Sequence, residues 1–282
     1  MRALAEFAMR SRAHAIATSM IAALLPFLSW FSTVVVALVC LRHGIAAGAT
    51  VLIWTVLPIG VGLYFSGDPT PGLWLLGTFL LAILLRQTMS LELVLVAAVV
   101  LAALSTLIFE LTASGALERL AEFYVEYLNQ IDGSLVITME EARTLLLGFF
   151  GLGQGFLMLV LLIIARWCQS ALYNPGGFSK EFHQLRLSPG ISVALIAGMG
   201  VCYTFSEQLG QWMPLLTVPL IMAALGLAHW FVASRELSSR WLVGLYAGLV
   251  LLSQLVYPFL ASLALMDSWF NIRNRLKMIE KD

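Results

Sequence analysis

Long apolar segments follow one another along almost the whole chain, and that pattern restricts the fold more than any other feature. A helix needs about 20 apolar residues to cross the hydrocarbon core of a bilayer. In this chain runs of that kind fall near residues 14–31, 45–65, 71–87, 91–111, 144–172, 189–206, 212–234 and 240–268, with a short one at 32–41. In lipid every backbone N–H and C=O must be bonded within the protein, so these segments read as helices. Only 11% of residues are charged and mean hydropathy is +0.92, where a soluble domain carries about a quarter charged residues. The expectation is an all-α, polytopic transmembrane helix bundle of about eight to nine spans, with a short or broken segment near each end.

The whole of 1–282 reads as a single integral membrane domain. Residues 1–173 supply a part of about six helices, and 189–282 a C-terminal part of about three with a basic tail. Within the first part, 112–143 is acidic and amphipathic and lies outside the spans. Leu117, Leu120, Tyr124, Tyr127, Leu128 and Ile131 recur at helical spacing, while Glu118, Glu122 and Glu126 make a separate stripe. A helix lying on the membrane surface accounts for both faces.

Helix ends carry local signals. Thr70-Pro71 and Ser188-Pro189 place a hydroxyl before a proline at the first helical position. Thr138 with Glu141 has capping-box spacing, and Asn174-Pro175-Gly176-Gly177 ends the helix that box opens.

Sixteen basic residues balance sixteen acidic ones, so no cationic excess points to nucleic acid, and position matters more than sum. Arg42, Arg86, Arg166, Lys180, Arg186, Arg235 and Arg240 fall in alternate connections, which the positive-inside rule assigns to the cytoplasm. Asp68, Glu118, Glu122, Glu126, Asp132, Glu140, Glu141 and Glu207 fall in the others. Arg2, Arg10 and Arg12 at one end, and Arg273, Arg275, Lys277 and Lys281 at the other, belong inside too. Residues 14–41 must then go out and return, with Pro26 near the break, and the last segment must also return if the rule holds there, with Pro258 as the candidate break.

Polar groups with a chemical use are few. Gly148, Gly151, Gly153 and Gly155 crowd one span with Gln154 among them. Gly151 and Gly155 have the spacing that brings helix backbones together. The alternative is a locally opened helix that binds a polar ligand, with Gln154, Gly151 and Gly155 as its lining and Glu110 or Tyr203 in reach. Asp267, six residues before Arg273, suggests a charged pair at the membrane edge. Phe178 and Phe182 in the 174–189 connection either dock a partner or pin a short helix to the underside of the bundle. The four histidines share no ligand spacing and the three cysteines no CxxC, so no metal is expected. No hydrolase elbow or deep carboxylate pair occurs, so neither a catalytic residue nor a cofactor is assigned.

Three stretches together resemble the YybS-like family of bacterial integral membrane proteins. They are Leu41-Arg42-His43-Gly44 with Ala47 and Gly48; Ala165-Arg166-Trp167 with the NPGGF and LRLSP that follow; and the run from Met266 to Arg273. Residues 1–173 are also similar to the substrate-binding subunits of energy-coupling-factor vitamin transporters. Such subunits dock on a partner through small residues of the first helix, a role that would fall here on Ala13 and Ala17. These resemblances imply a multi-pass protein of the bacterial inner membrane. Its expected partners are the lipid bilayer, an unknown small molecule and another membrane protein. Two functions follow as expectations: a transporter-like or small-molecule-binding membrane subunit, or a non-transporting scaffold that binds other membrane proteins.

Overall fold

The computed structural model describes residues 2–131 and 137–279; Asp132 and Lys281 lie outside them, as does the side chain of Lys277. Every regular element among the described residues is helical. The chain begins with α1 (Arg2–Ala8) and α2 (Arg12–Leu24), turns through Pro26–Leu28, and returns as α3 (Ser29–His43). Then come α4 (Ile45–Ser66), α5 (Thr70–Thr88), α6 (Leu91–Thr112), α7 (Ser114–Ile131) and α8 (Met139–Tyr173). The C-terminal part comprises α9 (Gly177–Gln184), α10 (Pro189–Thr204), α11 (Ser206–Leu209), α12 (Met213–Leu216), α13 (Val218–Ser234), α14 (Arg240–Leu251), α15 (Ser253–Phe270) and α16 (Ile272–Ile279).

The central element is α3. Twelve of its fifteen residues are buried, from Ser29 through the run Phe31–Leu41. A helix apolar all round can be satisfied only by being surrounded, and α2, α4, α5 and α8 surround it. The turn from α3 into α4 is tight because Gly44 adopts φ 101°, a region costly to any residue with a Cβ. It lays Gly48 on α3 so closely that a Cβ there would sit 2.6 Å from the Cβ of Cys40 and 2.9 Å from its Cα.

Five helical segments are long and apolar enough to cross a membrane: α4, α5, α6, α8 and the stretch Ser206–Ser234. Counting each of two bent pairs as one span gives seven. The pairs are α9 with α10, bent by 62°, and α14 with α15, bent by 119°. Five to seven is fewer than the eight to nine expected, because run length does not reveal whether a segment continues or doubles back. With 13 and 15 residues, α2 and α3 rise only about 20 Å each, short of a core about 30 Å thick.

Local signals set several boundaries. Thr138 and Glu141 form the expected reciprocal capping box on α8, which runs 35 residues to Tyr173. Ser11 and Ser90 cap α2 and α6 through their hydroxyls. Two boundaries differ in their chemistry. Thr70 is the first residue of α5 rather than its cap, and the Asp68 carboxylate accepts the Thr70 N–H at 2.9 Å. Ser188 precedes Pro189 as expected but caps with no side-chain bond; its own N–H donates to Glu92.

Polar groups gather at two ends. At one, Arg143 pairs with Glu110 at 3.9 Å, and Glu140, Glu141 and Glu207 share a cleft. There α7 packs through Leu117 and Ala121 and leaves Glu118, Glu122 and Glu126 exposed. The opposite end holds Arg42, Arg86, Arg166, Arg186 and Arg273. Both chain ends return to it: Arg10, Ser11 and Arg12 share a cavity with Val39, His43 and Ala47, and Arg273 reaches Leu185.

Candidate functional site

The basic end is organised around α9, an eight-residue helix laid across the bundle. It is held by four devices. Phe178 and Phe182 stack 5.7 Å apart, both buried, and Phe182 meets the His229 ring edge-on. Gly226 on α13 lets the helices approach, since a Cβ there would stand 2.9 Å from the Phe182 carbonyl oxygen. The Ser170 hydroxyl donates to the Asn174 carbonyl at 2.7 Å and accepts the Phe178 N–H at 3.0 Å, bridging the turn out of α8. Glu181 closes the arrangement with a two-pronged pair to Arg166, one prong being Nε to Oε2 at 3.0 Å.

From Arg166 a polar chain runs into the core of the same face. Its Nη1 donates to Gln169 at 2.9 Å, and Gln169 in turn donates to the Leu41 carbonyl at 3.0 Å. Arg86 donates to that same carbonyl. The last carbonyls of a helix lack partners within it, so two side chains from α5 and α8 finish the end of α3. Arg42 lies over the Tyr173 ring, 4.0 Å from its centre.

The C-terminal hairpin docks on the other side of α9. Asn271 takes a left-handed conformation, φ 47°, and ends α15. Asp267, 3% exposed in its side chain, caps the Ile272 N–H at 3.0 Å and lies 3.6 Å from Arg273. Arg273, also buried, donates through Nη2 to the Leu185 carbonyl at 2.7 Å, while its Nε is buried without a partner. Ser268 and Trp269 both donate to the Ser192 hydroxyl at 3.0 Å.

Two grooves flank α9. One, about 210 Å³, runs between it and the α5–α6 turn and includes Glu92, Glu181 and Arg186. The other, about 500 Å³, is lined by Lys180, His183, Gln184, Arg186, Trp230, Asn271, Arg273 and Asn274, with no acid among them. Burial, and then the Arg273 guanidinium, push the His183 imidazole below its ordinary value. Burial likewise lowers Arg273, with Asp267 opposing and Arg186 adding to the shift.

Gly148, Gly151 and Gly155, singled out in the apolar interior, abut neighbouring elements. Gly151 faces the Thr106 hydroxyl, 2.9 Å from where its Cβ would be, and Gly155 faces Leu215, Val218 and Ala102 at 3.2 to 3.6 Å. Gly148 abuts the backbone of Gln211. The glycines are thus a lane across which the broken stretch ending in α12 lies. Gln154 is 4% exposed, with its carbonyl oxygen unpartnered. Glu110 is engaged by Arg143, and Tyr203 is 76% exposed on α10. Ala13 and Ala17 lie exposed on the face of α2 away from Ala15, Ser19 and Ala22, which pack inward. Phe178 and Phe182 are turned into the bundle.

The basic groove was not foreseen as a unit. Asp267 and Arg273 were visible as a pair by their separation, but nothing local places them against Lys180 and Arg186. No group of three or more metal-ligating side chains occurs among the described residues. No protein-family model, curated protein or solved structure matches this chain.

Proposed function

We propose that this is a multi-pass protein of the bacterial inner membrane, basic face to the cytoplasm, that acts as a non-transporting assembly partner of another membrane protein. The observation that carries this reading is the filling of the glycine lane on α8 by Thr106, Leu215, Val218 and Ala102. Where a substrate would pass, neighbouring side chains already pack. The exposed Ala13 and Ala17, four residues apart on α2, offer the flat small-residue face along which membrane helices approach closely. The resemblance to the YybS-like family adds an architecture without an assigned reaction.

One observation favours the transporter-like alternative, the buried and unpartnered carbonyl of Gln154. Purification in mild detergent separates the two. The assembly reading predicts a stoichiometric protein partner that is lost when Ala13 and Ala17 are both changed to leucine and kept when Gly151 is changed to alanine. Recovery of a small molecule instead, lost in Gln154→Leu, contradicts it.

A further inference from the structure

No acid lines the groove between α9 and the C-terminal hairpin, and the acids nearest to it are engaged elsewhere; Glu92, which shares the smaller groove with Arg186, accepts the Ser188 N–H. Glu181, on the same helix as Lys180 and His183, is committed to Arg166. Asp267 faces Arg273 from beneath and is already shared with the Ile272 N–H. Neither Lys180 nor Arg186 ion-pairs with an acid among the described residues. Four cationic or protonatable side chains, Lys180, His183, Arg186 and Arg273, therefore converge on one open volume of about 500 Å³. Of the cations, Lys180 and Arg186 are the two that pair with no acid among the described residues, and like charges so placed repel one another unless an anion joins them.

The rest of the lining suits a particular kind of anion. Arg273 is 7% exposed and paired with Asp267, and its Nε is a buried donor with no acceptor, so one of its donors is left unsatisfied under the groove. Lys180 and Asn274 are exposed and Arg186 half-buried, which leaves their donors free to turn inward. Asn271 adds an amide and Trp230 a flat apolar wall. A fork of guanidinium donors with an ammonium beside it matches the several oxygens of a phosphate better than a single carboxylate. The volume lies within the range of small-ligand sites, roughly 300–1,000 Å³.

We propose that this groove is a phosphate-binding site, taking the phosphate of an anionic lipid headgroup or of a soluble phosphorylated molecule. Lys180, Arg186 and Asn274 are the accessible donors, and Arg273, fixed by Leu185 and Asp267, forms the floor. The site stands independently of the assembly role, since it uses neither α2 nor the α8 glycines. Binding there would clamp α9 to α16 and hold the C-terminal hairpin against the bundle.

The test is thermal unfolding of the full-length protein in a neutral maltoside detergent at fixed ionic strength. Inorganic phosphate and short-chain phosphatidylglycerol are titrated separately, with chloride and the matching diacylglycerol as controls. A ligand that binds only the folded state raises the melting temperature with concentration. At least one phosphate probe is expected to do so, with apparent affinity reduced about tenfold or more in the Lys180→Gln/Arg186→Gln double variant. Arg119→Gln, on the opposite end of the molecule, should behave as the wild type. Stabilisation by the lipid alone assigns a headgroup; stabilisation by inorganic phosphate assigns a soluble ligand. The single variant Lys180→Glu, at an exposed position, guards against misfolding of the double variant and should also weaken binding. The proposal is overturned if neither probe shifts the melting temperature, or if the variants respond as the wild type does.

Discussion

A single carbonyl oxygen at Gln154 is the clearest test of whether the interior is packing or site. An acceptor buried without a donor costs about 1–3 kcal/mol, more than an apolar replacement of similar shape does. Gln154→Leu should therefore leave the melting temperature in detergent unchanged or raise it. A marked loss of stability would show that a ligand or partner satisfies that oxygen in the working protein. The opposite sign is expected at Gly48, where a new Cβ would meet the backbone of Cys40 rather than a side chain that can swing aside. Gly48→Ala should cost about 1–3 kcal/mol by overpacking, read as a lower melting temperature. Residue-level chemistry was legible in the sequence where partners are neighbours in the chain, as with Thr138 and Glu141. It was not legible at Gly151 and Gly155, because what fills the space beside them comes from α6 and from the stretch around Leu215, some 45 to 65 residues away on either side.

At the scale of elements, the chain meets its boundary conditions by doubling back. The turn at Pro26–Leu28 was legible because proline interrupts a run already too short for two crossings. The second return was not. Pro258 is the one break the sequence offers there, yet it sits inside α15, and the chain bends instead between Leu251 and Ser253. What fixes that hairpin is distant in sequence: Thr217 bonds to the Tyr257 hydroxyl, and Arg273 is seated on Leu185 and Asp267. Asp267→Asn removes the charge that compensates a buried guanidinium, and its expected cost is about 3 kcal/mol. Adding Arg273→Met should recover much of that loss, because the stranded charge goes with the side chain. A double-mutant cycle of melting temperatures checks this; additive losses would mean that the two residues act separately.

The whole molecule is a bundle with chemically unlike ends, a segregation of charge of the kind that a bilayer core, costly to charge, imposes. Composition and run length made the all-helical class legible, with helices long and apolar enough to cross a membrane, because hydrocarbon leaves the backbone few alternatives. They could not count crossings, since α2, α3, α14 and α15 have the composition of spans without continuing as straight ones. The account requires both chain ends to lie on the basic face and α7 on the other. Cysteines placed at Ser11, Ser179, Asn274 and Glu122 report this directly with a membrane-impermeant maleimide, because Cys40, Cys168 and Cys202 are all buried. In intact spheroplasts Glu122→Cys should label, while Ser11→Cys, Ser179→Cys and Asn274→Cys should label only after the membrane is opened. Labelling of Ser11→Cys and Asn274→Cys from opposite sides, or of all four without opening the membrane, would contradict it.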